Sequence, residues 1–292
     1  MARCLVTGHR GYIGSRLYKR LQDLGHEVMG IDLFEGHNIN RDLHEYNEPA
    51  RGKFHPHYFN FKPEYIFHLA CLPRVEYSIE NPVRTMENNV LAASNVLSFA
   101  KYVGAKRVIY SSSSAIVGDG NGPTNPYGLQ KLVSEMECKL YSELYGVETV
   151  SLRYFNVFSG DQEYGGSYST VICAWLEMLK KNRSLRIDGN GEQTRDYVHV
   201  DDVVSANIFC MNYEDKFNGE HFDVGTGTSI SLNDIKAIVE KYHKLTWEYA
   251  PERKGDVKHT LADINKLKNI GWCAKINAVD SINKCFKENK HD

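Results

Sequence analysis

The first thirty-two residues constrain the fold most. A short β-prone strand, RCLVT (Arg3–Thr7), runs into Gly8-His9-Arg10-Gly11-Tyr12-Ile13-Gly14. A helical stretch, SRLYKRLQDL, follows and stops at Gly25, and a second strand, EVMGID, ends at Asp32. Strand, glycine turn, helix, strand and acid in that order describe the first unit of a doubly wound parallel sheet. The glycines let the backbone turn tightly and come within reach of a pyrophosphate, whose charge the helix N-terminus favours. Gly8, Gly11, Tyr12, Ile13 and Gly14 are therefore candidate dinucleotide contacts. Asp32, 24 residues after Gly8, stands where a carboxylate accepts hydrogen bonds from the adenosine ribose hydroxyls. The same carboxylate repels a 2′-phosphate, which favours NAD(H) over NADP(H). Arg10 is the counter-signal, because an arginine in the loop can approach that phosphate.

A second signal lies at Val108–Lys131, VIYSSSSAIVGDGNGPTNPYGLQK. An apolar strand ends in four serines, a Gly/Pro/Asn loop follows, and Tyr127 and Lys131 arrive at helical spacing on one face. An ammonium held near a phenol favours the phenolate, so the pair can serve as a proton acceptor near neutral pH. Ser113, at the strand end, can donate to the same substrate oxygen. A bare YxxxK is common by chance; its company with the serines and the glycine loop makes it a catalytic candidate.

With 292 residues the chain can bury a large core and suits one nucleotide-binding domain with a smaller appended piece. A formal net charge of -2, evenly mixed, offers no basic block for nucleic acid. The seven cysteines are scattered without metal-ligand spacing and read as reduced, mostly buried small hydrophobes. The start, MARCLVTGHRGYIGS, reads as strand and turn, not as a signal peptide, and no apolar run approaches the ~20 residues that cross a membrane. A cytoplasmic location is expected.

The stretch between Asp32 and the strand YIFHLA (65–70) is rich in breakers and aromatics and holds no clear long helix, so the sheet is expected to be shortened there. His37, His44, His55, His57 and His68 lack companions at metal-site spacing, and no metal is expected. Leu69 and Ala70, at the end of a strand, are candidates to line the cofactor crevice. VRTMENNVLAASNVLSFAKYVG (83–104) reads as one amphipathic helix stopped by Gly104, with Asn89 a candidate support for the cofactor or the active-site backbone. That helix and the one over 127–145 carry more apolar residues than one sheet face needs, which predicts a homodimer.

ETVSLRYFNVF (148–158) reads as one strand with Asn156 at its polar end. The chain is expected to leave the first domain (1–158) there, with a helix over about 169–181 and a second domain over 159–292. A segment near 196–212 is expected to rejoin the first. Arg195 and Arg253 sit in polar loops; two converging guanidinia suit a diphosphate, and solvated surface suits them equally. GDGNGP and GTGTS lack a strand–turn–helix setting and read as turns. Ser231 or Asn233 is expected to cap a helix.

Taken together, TGHRGYIGS (7–15), HLA (68–70), NN (88–89), SSSSAIVG (111–118), NPYGLQK (125–131), RYFNVF (153–158), DGNGEQTRDYVHVDD (188–202) and RKGD (253–256) resemble the extended short-chain dehydrogenase/reductases, specifically the nucleotide-sugar 4-epimerases. The resemblance covers nearly the whole chain in order. It implies a Rossmann-like domain with a smaller C-terminal α/β substrate domain, NAD as cofactor and a UDP-sugar as substrate. It further implies Tyr127 as base, Lys131 as its partner and ribose ligand, and Ser113 as the catalytic hydroxyl, open by one residue among its neighbours. Asn156, Arg195 and Arg253 are implied near the sugar diphosphate, and Asp256 near the nucleotide ribose. The implied reaction is a transient oxidation at the sugar C4, rotation of the 4-keto sugar about its anchored diphosphate, and return of the hydride to the other face.

The chain also departs from that pattern. The segment after Asp32 is short, Asn38 stands where an adenine-contacting Asp is common, and Val117 replaces a frequent tyrosine. GGSYSTVI (165–172), with Thr170 and Val171, resembles the branch that accepts N-acetylhexosamines. Thr260 stands where narrow-pocket members carry a bulky tyrosine. Substrate expectation therefore leans to UDP-GlcNAc/UDP-GalNAc or their uronic acids, with UDP-Glc/Gal next. Dehydratases and decarboxylases of the family carry an acid beside the catalytic hydroxyl; Ser114, Ala115 and Ile116 here argue against both. A non-catalytic NAD sensor would not need to keep the Tyr127–Lys131 pair.

Overall fold

The computed structural model describes residues 1–36, 39–42, 56–118, 120–165, 169–252 and 257–289. The first unit is β1 (Arg3–Thr7), α1 (Tyr12–Asp23) and β2 (Glu27–Ile31). A 3-10 turn over Leu33–Glu35 and two short helices, α2 (Ile39–Asp42) and α3 (Pro56–Phe61), lead to β3 (Tyr65–His68). Next come α4 (Val75–Glu80), α5 (Pro82–Met86), α6 (Ala92–Val103) and β4 (Arg107–Ser113). Helix α7 (Pro126–Tyr145) and β5 (Glu148–Tyr154) complete the next unit, followed by β6 (Asn156–Phe158) and α8 (Val171–Lys180). The remainder comprises β7 (Leu185–Asp188), β8 (Thr194–His199), α9 (Val200–Asn212), β9 (Glu220–Val224), β10 (Ser229–Ser231) and α10 (Leu232–Glu240). It closes with β11 (Trp247–Ala250), α11 (Asn265–Asn269) and α12 (Ala278–Glu288).

Six parallel strands form the main sheet in the order β2-β1-β3-β4-β5-β9. Its inner strands are buried along their length, as a parallel sheet covered on both faces requires. Alternation divides the core in two. Cys4, Val6, Phe67 and Ile109 face Leu17 and Leu21 of α1 and Val203 and Cys210 of α9. Leu5, Ile66, Val108 and Tyr110 face Val96 and Phe99 of α6 and Cys138 of α7. Leu17 and Leu21 recur four residues apart and are fully buried, each worth about 2 kcal/mol of transfer free energy. The strand order reverses between β1 and β3, so the ligand crevice of such a sheet opens at the ends of these two strands. Among the described residues β2 is the outer edge, as the lean stretch after Asp32 predicts.

The helix expected over 83–104 is interrupted by a π-turn at Glu87–Leu91. The extra residue of that turn lets neighbouring Asn88 and Asn89 serve different sites, and π-turns of this kind frequently mark functional positions. Gly104 ends the helix in the left-handed region, φ 68°. The strand expected over 148–158 is two strands. Phe155 still donates its N–H to the Val224 carbonyl at 3.1 Å, after which β6 leaves the main sheet to pair with β8. Tyr154 and Phe155 are both buried at the point where the chain passes from one sheet to the other. Asn156 is accordingly the first residue of β6.

The smaller C-terminal α/β region has a three-stranded sheet, β10-β8-β6, and a two-stranded one, β11-β7. Its core joins Trp175, Ile187, Tyr197, Ile235 and Phe286. The return to the main sheet is longer than 196–212: β9 hydrogen-bonds along β5 from Glu220 to Val224. Arg195 lies within β8, not in a loop, because β8 and β10 pair on either side of it. Ser231 caps α10 in a reciprocal capping box with Asp234, as the sequence suggests. The cysteines are all free thiols, five of them buried.

Candidate active site

The glycine loop is built for close approach. Gly8 has φ +70°, and a Cβ there would stand 2.8 Å from the Ala70 amide nitrogen. A Cβ on Gly14 would strike the Gly8 carbonyl oxygen, so α1 packs against the loop only because Gly14 is bare. Gly11 is the N-cap of α1. Thr7 joins this loop to the end of β3: its Oγ1 accepts from Leu69 N at 3.1 Å and Ala70 N at 3.2 Å, which leaves its proton for His68 Nδ1 at 2.7 Å. His68 is fully buried, and burial, reinforced by Lys131, drives its pKa down to about 3. Tyr12 reaches across to the segment after β6 with a 2.6 Å bond between its hydroxyl and Ser159 Oγ.

One cleft of about 580 Å³ runs along the strand ends. Gly8, Gly11, Tyr12, Ile13 and Gly14 form its floor at one side, with Asp32 at the end of β2. Leu69 and Ala70 line it from the end of β3. Ser113, Tyr127, Lys131 and Asn156 line its other end. Among the described residues, Asp32 is the sole carboxylate and Lys131 the sole ammonium or guanidinium of that lining.

Helix α7 delivers Tyr127 and Lys131. Asn125 caps it, its Oδ1 accepting from Gly128 N at 2.9 Å, and Pro126 fits the first turn. Gly128 lies against the Ala115 carbonyl with no room for a Cβ, which presses the start of α7 onto the serine turn. Tyr127 N donates to the buried Ser78 Oγ of α4 at 3.2 Å. Lys131 Nζ donates to the Ser111 carbonyl at 2.6 Å, 4.9 Å from the Tyr110 ring centre and 5.9 Å from that of Tyr127. Ser113 Oγ accepts from Ala115 N at 3.2 Å, while Ser112 Oγ is buried with no hydrogen-bond partner among the described residues. The arrangement can hold a hydroxyl-bearing carbon against a phenol, a serine and an ammonium.

Other expected site residues lie apart from this lining. Asn89 is buried behind it: Oδ1 accepts from Leu72 N at 2.7 Å, and Nδ2 donates to Leu72 O and Gln130 Oε1. Asn88 lines the cleft instead. Thr170 caps α8 and donates to Gln162 Oε1 at 3.0 Å, with Val171 next to it. Arg195 Nη1 donates to the Thr194 and Lys258 carbonyls. Thr260 is held to β8 through its N–H on Thr194 O at 3.2 Å, its buried Oγ1 without a hydrogen-bond partner among the described residues. Arg253, Asp256 and Asn38 lie outside the described residues, as do His37, His44 and His55. No group of three metal-ligating side chains occurs among the described residues, and no described helix is long and apolar enough to cross a membrane.

Sequence reasoning missed several supports. Asp196 accepts from Thr226 N, Gly227 N and Ala262 N, fastening β8 to the turn after β9 and to the segment beyond Thr260. Its burial raises the carboxyl pKa, with those hydrogen bonds acting in the opposite sense. Glu35 and Arg153 carry no local signal either, since the partner of each lies elsewhere in the chain.

A glycine-loop sheet with a Tyr–Lys pair at its crevice defines an extended short-chain dehydrogenase/reductase. The chain belongs to the NAD dependent epimerase/dehydratase family, whose family model matches residues 4–225. A relative from Methanocaldococcus jannaschii, provisionally named UDP-glucose 4-epimerase, is 34% identical over 96% of both chains. UDP-glucose 4-epimerase of Mycolicibacterium smegmatis is 30% identical over 97% of this chain and 96% of the relative. Among solved structures, UDP-N-acetylglucosamine 4-epimerase from Methanobrevibacter ruminantium, in complex with UDP-N-acetylmuramic acid, superposes with a TM-score of 0.83. It is 29% identical and covers 99% of this chain and 96% of its own. UDP-glucose 4-epimerase of Thermus thermophilus, solved with NAD, gives 0.82 at 26% identity, covering 98% of each chain.

Proposed function

We propose that the chain catalyses NAD-dependent C4 epimerisation of a UDP-sugar, with Tyr127 as the base. The observation that carries this reading is the convergence of Ser113, Tyr127, Lys131 and Asn156 on the cleft that also holds the glycine loop and Asp32. The loop, where no Cβ fits on Gly8 or Gly14, and the carboxylate at the end of β2 suit a dinucleotide. Gly8 to Gly14 would face its pyrophosphate and Asp32 its adenosine ribose. When bound, NAD supplies a hydride acceptor that can return the hydride. Tyr127 takes the proton of the sugar C4 hydroxyl and gives it back after the ring has turned. Lys131 favours the phenolate electrostatically, and Ser113 holds the same oxygen. The substrate half (159–292 apart from α9 and β9) carries Arg195, Arg253 and Asp256 as candidate nucleotide and diphosphate ligands, anchoring the sugar away from the reacting carbon. Asp32, at the ribose end, being the sole carboxylate of the described lining supports epimerisation over dehydration or decarboxylation, which need an acid beside the reacting carbon.

Thr260 in place of a bulky residue supports UDP-GlcNAc/UDP-GalNAc or their uronic acids, ahead of UDP-Glc/Gal. The test is product analysis by proton NMR after incubation with each UDP-sugar, with and without added NAD⁺. A C4 epimer with intact diphosphate and no net NADH is the expected result. A 4-keto-6-deoxy or pentose product would replace the reading with a dehydratase or decarboxylase, and no turnover by a chain that binds NAD⁺ would point to another nucleotide sugar or to a sensor.

A further inference from the structure

Glu35 stands directly beyond the ribose acid, on the 3-10 turn that Asp32 opens: Glu35 N donates to the Asp32 carbonyl at 3.2 Å. That turn bends the carboxylate back over the glycine loop. Arg10 donates from Nε to Glu35 Oε1 at 2.8 Å, and Nη2 meets the same oxygen at 2.8 Å. The other carboxylate oxygen faces His9 Nε2 at 3.4 Å. His9 is fixed in turn, its ring lying on Gly30 where no Cβ would fit. The Arg10 backbone N–H meanwhile donates to Asp32 Oδ2 at 2.9 Å, so the residue's main chain serves the ribose acid while its guanidinium is drawn away. Arg10 is not part of the cleft lining, although the residues flanking its loop are.

We propose that Glu35 is a cofactor-specificity residue that sequesters the Arg10 guanidinium and thereby withholds it from 2′-phosphorylated dinucleotides. The inference rests on the dinucleotide reading of the cleft. A 2′-phosphate next to a ribose acid needs a cation with planar paired donors, and an arginine near that acid is what NADP-binding members of this sheet type use. This chain has such an arginine in the loop, and Glu35 occupies it. Discrimination is thus double: Asp32 repels the phosphate, and Glu35 holds the group that would attract it. The Arg10 side chain is 59% exposed and that of Glu35 33%, so the pair contributes little to stability and its removal leaves the fold intact. Its consequence is the direction in which the cation points.

The experiment is isothermal titration of NAD⁺ and NADP⁺ into the purified chain, freed of nucleotide, and into Glu35→Gln and the double variant Arg10→Ala/Glu35→Gln. The expected result is a fall of at least about tenfold in the NADP⁺ dissociation constant for Glu35→Gln, with NAD⁺ changed by less than about threefold. The double variant loses that gain. An unchanged NADP⁺ affinity in Glu35→Gln that still binds NAD⁺, or a gain that survives removal of Arg10, would overturn the proposal and leave the dinucleotide reading standing. A wild-type chain that binds neither nucleotide would overturn both.

Discussion

Arg153 of β5 holds Glu135 of α7 in a two-pronged grip, Nε to Oε1 at 2.9 Å and Nη2 to Oε2 at 2.7 Å. Glu135 lies one helical turn past Lys131 and two past Tyr127, so the pair fastens the Tyr127–Lys131 face of α7 to the sheet. Both side chains are largely buried. Burial works against the Arg153 charge, but the Glu135 contact holds its pKa above the ordinary value, with Asp223 adding to it. Arg153→Met is therefore expected to cost about 3–5 kcal/mol by leaving a buried carboxylate unpaired. Removing both charges with Glu135→Leu/Arg153→Met is expected to cost less than Arg153→Met alone. Urea unfolding of the two single variants and the double closes the cycle; additivity within about 0.5 kcal/mol would mean the pair is not coupled.

His68 makes acid stability depend on one buried ring. Its pKa falls from 6.5 to about 3, burial first and Lys131 second, so the folded chain keeps it neutral where the unfolded chain protonates it. A depressed histidine pKa gives stability that is complete above about 6.5 and is lost as pH falls from there towards 3. Between pH 7.5 and 5.0 the loss from this group is about 2 kcal/mol. His68→Asn is expected to be less stable at pH 7.5 and to show a shallower decline than the wild type over that interval. Parallel slopes for the two proteins in urea titrations would show that His68 is not the linked group.

The outer faces of α5, the π-turn after it and α7 expose Val83, Leu91, Met136, Leu140 and Leu144, the last three at spacings of four residues. A two-fold pairing of these helices would cover them, and its self-complementary geometry needs the same face from each copy. The chain is expected to sediment as a dimer at micromolar concentration, and Leu140→Glu as a monomer with unchanged circular dichroism. A wild type that sediments as a single chain would remove the dimer.

What was legible in the sequence was local. Gly8, Gly14 and Asp32 announce themselves because a turn, a helix start and a strand end sit within one α/β unit, and Tyr127 and Lys131 because four residues make one helical turn. The short outer edge was readable from the breakers after Asp32. Asn89 was readable as a support, though not its partner Leu72; the other supports were not readable, because each joins residues distant in the chain: Thr7 with His68, Glu135 with Arg153, Arg107 with the carbonyls of Cys210 and Tyr213. Nothing in LRYFNVF marks the point where the strand changes sheets. That choice is made by β9 and β8, which arrive about forty residues or more later. Glu35 was invisible for the same reason: a glutamate after a strand is ordinary until the 3-10 turn folds it over Arg10, its partner 25 residues back in the chain.

Asn89 offers the clearest separation between touching a cofactor and holding the wall that touches it. Its amide spans the gap between helix and loop, accepting from Leu72 N at 2.7 Å and donating to Leu72 O at 3.2 Å and Gln130 Oε1 at 2.8 Å. Leu72 lines the cleft, and Gln130 passes the connection on to Thr85 Oγ1. Asn89→Ala leaves a buried N–H and a buried amide oxygen unpaired, which is expected to cost about 1–3 kcal/mol of stability. If the amide acts by holding Leu72, NAD⁺ affinity should fall only modestly, about three- to tenfold, and Asn89→Asp should restore part of it through the Leu72 N–H bond. Calorimetric NAD⁺ binding together with urea unfolding of both variants checks this. A loss of binding with no loss of stability would instead make Asn89 a direct ligand.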